Sequence, residues 1–123
     1  MTEHPVVLPE PDADETGPYA HLGFCRAKPG HESDVEELIL GLVAPLRAEP
    51  GAIEFHVHRD RADRRTFVIY EMFRSRDELV AHLAQSHTQE FVRRIGPHVE
   101  GPLRQQFLRM CSTLPAASVP VEA

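Results

Sequence analysis

The chain has 123 residues, of which 41% are apolar, and this length suits one folded domain with a single hydrophobic core. Five of its 19 acidic residues and none of its 13 basic residues lie in positions 1–18, so the rest of the chain is nearly neutral, with 14 acids against 13 bases. A near-neutral domain lacks the basic face that nucleic acids require, and no run of 18 apolar residues is present to cross a membrane, so neither partner is expected.

The two ends of the chain are predicted to be flexible. Positions 1–18 carry four prolines and an acidic cluster, which predicts a flexible acidic arm, and positions 113–123 predict a loose C-terminal tail. The folded domain then spans residues 19–112. The arm is free either to extend or to pack on a partner subunit. The N-terminus lacks the basic and apolar segments of a secretion signal, which favours a cytoplasmic location.

The first half of the domain is predicted to form a strand and one long helix. The strand covers residues 19–27 and ends at the Pro-Gly turn of residues 28–30. The apolar residues that follow at helical spacing are Val35, Leu38, Ile39, Leu42, Val43 and Leu46. Pro45 interrupts this helix, because a proline removes one hydrogen bond and clashes with the residue four positions earlier, here Gly41. We therefore expect a helix that bends near this pair and ends before Pro50.

The second half is predicted to contain two strands, two short helices and a last strand. The strands cover residues 52–60 and 65–73, and the second is apolar on both faces, which favours the interior of a sheet. Ser75, with a glutamate three residues later, has the spacing of a capping box that begins a helix. A second helix is predicted to begin near Ser86, and the last strand covers residues 104–111.

The predicted element order is β-α-β-β-α-β, an α+β fold of the ferredoxin-like type. Its four-stranded antiparallel sheet carries the helices on one face, and the last strand lies beside the first. The other face of the sheet needs a cover, because the strands carry apolar residues on both sides. These residues are Phe55, Val57, Val68, Tyr70, Leu108 and Met110. A homodimer that stacks two sheets into a barrel would cover that face.

An acidic residue in the predicted inner strand, Glu71, is the first candidate for chemistry. The residues that share its strand face are Phe67, Ile69 and Phe73. A carboxylate among these side chains is costly to bury unless it is paired or solvated in a cavity. Glu71 is therefore either an acid/base group in a pocket or one half of a structural salt bridge, with Arg26 or Arg109 as the partner.

Two histidines in the following helical region complete the candidate catalytic group. His82 lies near the apolar side of its helix, where an ordinary core histidine bonded to a backbone carbonyl is the alternative. His87 lies five residues later, so the two rings converge only if the helix breaks between them. The catalytic group is thus predicted to be Glu71, His82 and His87. The residues predicted to line a substrate pocket are Phe67, Ile69, Phe73, Leu79 and Phe91.

No metal or cofactor site is predicted. His56 and His58 share one strand face, but a third ligand is not evident in the sequence. The glycines form turns rather than a phosphate-binding loop, so flavin and nucleotide cofactors have no recognisable site.

The order of these features resembles the antibiotic-biosynthesis monooxygenase family, over about residues 19–112. The matching features are Lys28-Pro29-Gly30-His31-Glu32, the helix with Pro45, Glu49-Pro50-Gly51, Tyr70-Glu71-Met72-Phe73, His82 and His87. The resemblance implies a dimeric α+β barrel and an oxygenase that uses O2 without flavin, haem or metal. It implies substrates such as hydroquinones, anthrones and related polycyclic phenols. A base removes a proton from such a substrate, and the resulting anion donates an electron to O2.

Two departures from the family pattern keep other functions open. Phe73 stands where many relatives have Trp, and the chain contains neither Asn nor Trp, which disfavours a haem-degrading role. The leading expectation is a cofactor-independent monooxygenase that acts on a quinol-like or polyketide-like aromatic. One alternative is an isomerase of a small phosphorylated carbonyl compound, which would need arginines such as Arg26 or Arg109 in its pocket. The other alternative is a non-catalytic ligand-binding dimer.

Overall fold

The computed structural model describes residues 7–115, and its elements follow the predicted order. The strands are β1 (Tyr19–Arg26), β2 (Ala52–Arg59), β3 (Thr66–Phe73) and β4 (Arg104–Arg109). The helices are α1 (Glu32–Leu40), α2 (Val43–Arg47), α3 (Arg76–Leu83) and α4 (Ser86–Ile95), with a 3₁₀ turn at Gly96–His98. Within the described residues, no helix combines the length and the apolar character that crossing a membrane requires. The predicted C-terminal tail lies largely in positions 116–123, outside the described residues.

The four strands form one antiparallel sheet in the order β2-β3-β1-β4. Strand β3 is an inner strand, and β4 pairs antiparallel with β1, as the sequence predicts. The ferredoxin-like α+β fold is therefore confirmed. The register sets Tyr19 opposite Phe73 and His21 opposite Glu71. Because side chains alternate along a strand, these four residues lie on the same face of the sheet.

The predicted long helix is divided into α1 and α2 around Gly41 and Leu42. Pro45 has no N–H, so the Gly41 carbonyl receives no bond from the position four residues later. Instead, the Leu42 N–H donates to the Ile39 carbonyl, three residues earlier, at 3.0 Å. This spacing is that of a 3₁₀ turn, which is tighter than an α-helical turn. The bend was predicted at the right place, and the structure shows a break rather than a curve.

The helices cover one face of the sheet, and that face holds the core. The Phe73 ring lies 5.1 Å from the ring of His82 on α3, which identifies the helix-covered face. Fully buried side chains on or under this face include Phe55, Phe67, Phe73, Ile39, Leu46, Leu79, Ile95 and Val35. On the opposite face, Tyr70 is half-buried and Leu108 is exposed, so part of its apolar surface is uncovered.

The N-terminal segment contacts its own chain from Leu8 onward. Leu8 is buried, and its carbonyl accepts hydrogen bonds from the Arg76 guanidinium. The Tyr19 hydroxyl donates to the Pro9 carbonyl at 2.7 Å, and Arg109 pairs with two acidic residues of the arm. These contacts place residues 8–14 against the domain. Flexibility of the arm in solution stays a prediction.

Candidate active site

A glutamate in the turn before β2 brings two histidines together. Glu49 Oε2 accepts hydrogen bonds from His82 Nδ1 at 2.9 Å and from His87 Nε2 at 2.5 Å. The helix does break between the two histidines, since α3 ends at Leu83 and α4 begins at Ser86, and this break lets both rings reach one carboxylate. The side chains of Glu49 and His82 are 7% and 4% exposed, whereas His87 is 24% exposed. The group therefore runs from the interior toward solvent.

A second carboxylate, that of Glu71 on β3, lies on the inner side of His82 and contacts two histidines. Glu71 Oε2 lies 3.7 Å from His82 Nε2, an ion-pair contact that is too long for a hydrogen bond. The other oxygen, Oε1, accepts a hydrogen bond from His21 Nδ1 at 3.2 Å. Three imidazoles thus alternate with two carboxylates. We call this group the relay, and its members in order are His87, Glu49, His82, Glu71 and His21.

The inner end of the relay carries an unsatisfied atom. His21 Nε2 is buried and has no hydrogen-bond partner, and it is the only such side-chain atom among residues 7–115. Because Nδ1 donates to Glu71, the neutral ring keeps a free lone pair on Nε2. Buried polar atoms without a partner are rare in folded proteins, and a catalytic role is one of the explanations for them.

The surroundings of His21 leave space beside this atom. Its ring stacks on Phe107, with centroids 4.9 Å apart and planes at 24°. On the same strand face, a Cβ added to Gly23 would lie 3.5 Å from the His21 Cε1 atom and 4.0 Å from Nε2. The glycine therefore leaves a gap at the edge of the ring, bordered by the half-buried Ile69.

The predicted catalytic residues Glu71, His82 and His87 all lie in the relay. Of the predicted pocket residues, Ile69 alone is half-buried. The others belong to the hydrophobic core: Phe67, Phe73, Leu79 and Phe91. These four residues support the site from within the core.

The proposed arginine partners of Glu71 were wrong. Arg26 pairs with Asp63 at 2.7 Å and with Glu100 at 2.9 Å. Arg109 pairs with acidic residues of the N-terminal arm. Among the described residues, Glu71 has only histidine partners in its ion pairs.

Two relay members, Glu49 and His21, were missed by the sequence analysis. Glu49 was treated only as part of a Pro-Gly turn. In the structure it follows the end of α2, where its N–H donates to the Leu46 carbonyl at 2.9 Å. His21 was assigned no role, although a histidine on the predicted first strand, which a ferredoxin-like sheet places beside β3, was a usable signal. The residue opposite His21 depends on the strand register, which spacing alone does not give.

Cys25 lies on the same strand as His21, and its chemistry is that of a buried thiol. Burial raises the pKa of Cys25 to about 11, so the side chain stays protonated and non-nucleophilic at neutral pH. Acid/base chemistry at this face therefore falls to the histidines and carboxylates.

Two clefts on the surface of residues 7–115 lie apart from the relay. One of about 600 Å³ lies outside α3 and is lined by Leu8, Arg76 and Val80 among others. Another of about 350 Å³ lies along β2 beside Ile53 and His56. Neither cleft is lined by a relay residue, and both are open at the surface.

Two groups of side chains within residues 7–115 bring three possible metal ligands within 4.8 Å of one another. One is the relay group Glu49, His82 and His87, and the other is a separate group of His31, Asp34 and His98. His56 and His58, considered above as a possible pair of ligands, belong to neither group.

Comparison with known proteins supports one family. An uncharacterized protein from Synechocystis sp. is 24% identical over 112 residues, which cover 87% of this chain and 76% of that protein. The crystal structure of PA3566 from Pseudomonas aeruginosa is 27% identical with a TM-score of 0.74, covering 81% of this chain and all of that chain. Rv0793 from Mycobacterium tuberculosis is 23% identical with a TM-score of 0.75, covering 80% of this chain and all of that chain.

The sequence pattern of one family spans most of the folded domain. The description of that family is antibiotic biosynthesis monooxygenase, and its match extends over residues 18–94, from the start of β1 almost to the end of α4. The matched range therefore includes all five relay residues. The chain belongs to the antibiotic biosynthesis monooxygenase family.

Proposed function

We propose that this protein is a homodimeric, cytoplasmic monooxygenase that oxidises a quinol-like or polycyclic aromatic substrate with O2 and without a bound cofactor. Family membership supports the class of reaction. The observation that carries the mechanism is the relay of three histidines and two carboxylates, which ends in a buried nitrogen with no partner.

The substrate-facing base in this proposal is His21. Its Nε2 lone pair accepts the proton of a substrate hydroxyl, and the Glu71 carboxylate at Nδ1 orients the ring and stabilises the imidazolium. The substrate O–H bond breaks, its electron pair stays on oxygen, and the resulting phenolate donates an electron to O2. A carbon atom added at Gly23 would lie 4.0 Å from this nitrogen without a clash, and we propose that the substrate hydroxyl approaches from that side.

The predicted catalytic residues Glu71, His82 and His87 have distinct parts in this proposal. Glu71 contacts the base directly, whereas His82 lies between both carboxylates and is too enclosed to meet a substrate. His87 is the most exposed of the three and lies at the outer end, where it exchanges protons with solvent. In this proposal His82 and His87 carry the proton away, so that His21 and Glu71 return to their starting protonation states after each turnover.

The apolar wall of the substrate site is proposed to begin at Ile69 and Phe107. Both are half-buried on the helix-covered face and border His21 or Gly23. Behind this wall lie the buried core residues Phe67, Phe73, Leu79 and Phe91. Substituting any of them with a larger or smaller side chain would therefore change the shape of the site indirectly.

The homodimer is proposed from the uncovered face of the sheet. Tyr70 is half-buried there and Leu108 is exposed in the single chain. Light scattering at micromolar concentration tests this part directly, and a monomer would contradict it.

The isomerase alternative is not favoured by the site. An anionic phosphorylated substrate needs arginines, but both candidates, Arg26 and Arg109, are paired with surface acids. Within the described residues, no arginine forms an ion pair with Glu49 or Glu71.

Oxygen consumption by metal-stripped protein against a panel of hydroquinones and anthrones tests the proposal. We expect uptake that survives chelation and falls by about a hundredfold or more in the His82→Ala, His87→Ala double variant. Uptake that needs added metal would contradict the cofactor-free part, and full activity in the double variant would remove the relay from the mechanism. Binding of these aromatics without any uptake would favour the non-catalytic ligand-binding dimer.

A further inference from the structure

A second group of possible metal ligands lies apart from the relay, where the turn after β1 meets the 3₁₀ turn that follows α4. His31 Nδ1 and His98 Nδ1 are 3.0 Å apart, although the two residues are 67 positions apart in the sequence. Asp34 Oδ2 lies 3.9 Å from His98 Nδ1. We propose that His31, Asp34 and His98 bind a divalent transition-metal ion such as Zn²⁺, and we call this group the surface triad.

The donor atoms have the chemistry and the spacing that such an ion needs. Zinc binds imidazole nitrogen and carboxylate oxygen at about 2.0–2.2 Å, so neighbouring ligands of a tetrahedral ion lie about 3.3 Å apart. The two measured separations, 3.0 and 3.9 Å, lie on either side of that value. Imidazole ligands favour zinc, copper and nickel over magnesium and calcium, which prefer oxygen ligands alone.

The backbone holds the two histidines in place without the ion. Ala27 and Val99 form an isolated bridge between the two segments. The Lys28 N–H donates to the His98 carbonyl at 2.9 Å, and the His31 N–H donates to the Lys28 carbonyl at 2.9 Å. A metal ion would therefore meet an arrangement that is already ordered, which lowers the entropic cost of binding.

Within the described residues, the triad side chains form no tight ion pair that a metal ion would have to break. One hydrogen bond joins His31 Nδ1 and His98 Nδ1, and the carboxylate of Asp34 lies beyond hydrogen-bond range of His98 Nδ1. The side chains of His98 and Asp34 are 29% and 59% exposed, so a hydrated ion can reach the site and keep a water molecule as a further ligand.

The relay group is the weaker candidate for a metal. Glu49 Oε2 lies only 2.5 Å from His87 Nε2, and this contact would have to lengthen toward about 3.3 Å to hold one tetrahedral ion. The relay residues His82 and Glu49 are enclosed in the packed interior, which resists such a change. The proposal for the surface triad is independent of the proposed oxygenase function.

Calorimetric titration of untagged, metal-stripped protein with Zn²⁺ tests the proposal. We expect one equivalent to bind, and we expect His31→Gln and His98→Gln to weaken binding by about a hundredfold. Asp34→Asn supplies a second test, because this exposed side chain can be changed with little risk to folding. His58→Gln is the matched control, since it removes an exposed histidine outside the triad and should leave binding unchanged.

The thermal midpoint gives a second measurement that does not depend on turnover. Zinc at about a hundred times its Kd should raise the Tm of the wild type by about 10 °C, and this rise should disappear in the triad variants. Three results would overturn the proposal. They are the absence of binding at millimolar zinc, binding that survives both histidine changes, and binding that is lost in Glu49→Gln instead.

Discussion

Two groups of ion pairs in this protein, a surface network and the relay, differ in the partner of the carboxylate. On the surface, Asp63 and Glu100 pair with Arg26, and Glu100 also pairs with Arg65. In the relay, the carboxylates pair only with histidines. All but one of the 13 basic residues of the chain are arginines, yet none of the arginines in the described residues forms an ion pair within the relay.

The difference follows from what each partner does at neutral pH. A guanidinium is always protonated, so an arginine pair fixes a charge in place. An imidazole gains and loses its proton near neutral pH, so a histidine pair can transfer one. The surface network is therefore suited to holding loops together, and the relay is suited to acid/base chemistry. The predictions below test this division, beginning with the largest expected effect.

The free nitrogen of His21 gives the strongest test. If His21 is the substrate-facing base, His21→Ala should lower turnover in the oxygen-uptake assay by about a hundredfold or more. Added imidazole should restore part of that activity, because it can occupy the space left by the side chain, whereas a purely structural role would not respond. His58→Ala, on the other face of the sheet, should keep full turnover. Wild-type rates in His21→Ala would remove His21 from the mechanism.

The buried position of Glu49 predicts a loss of stability that its exposed counterpart should not show. Glu49→Ala leaves the N–H groups of His82 and His87 without their acceptor, at a cost of about 1–3 kcal/mol in the free energy of unfolding. Glu54 is a matched control, since it also bonds to a histidine, His56, but the side chains of His56 and Glu54 are 46% and 32% exposed. Glu54→Ala should cost less than about 0.5 kcal/mol. Equal losses in urea unfolding would show that burial does not distinguish the two pairs.

More of the fold than of the site could be predicted from the sequence, because helices and strands follow from local residue patterns and the site depends on how distant segments pair. Ser75 caps α3 as its spacing predicts, with its hydroxyl accepting from the Glu78 N–H at 3.3 Å. Pro45 marks the helix break in the same local way. His21 and Glu71, in contrast, lie 50 positions apart and meet only through the register of β1 on β3. Local signals predict elements, whereas a relay between distant elements needs the register and the side-chain directions as well.

Asp63 should give the surface network a measurable pH dependence. Hydrogen bonding from Arg26 lowers the pKa of Asp63 from its ordinary 3.8 to about 2. A carboxylate with a lowered folded-state pKa adds stability above pH 3.8 and loses it as the pH falls toward 2. The stability difference between wild type and Asp63→Asn should therefore be present at pH 7 and shrink between pH 3.8 and pH 2. High salt should also reduce it, because both side chains are well exposed. A difference that stays constant down to pH 2 would show that charge is not its source.

The two cysteines extend the comparison between interior and surface to groups that form no ion pair. Cys25 lies on the same strand face as His21 and is buried, whereas Cys111 is exposed. Burial raises the pKa of Cys25 to about 11, so both access and ionisation protect it from thiol reagents at pH 8. One thiol per chain should react quickly in the native protein and two in denaturant, with Cys111→Ser removing the fast reaction. Rapid native labelling of Cys25 would mean that solvent reaches this face of β1, and the buried position of His21 Nε2 would then be wrong.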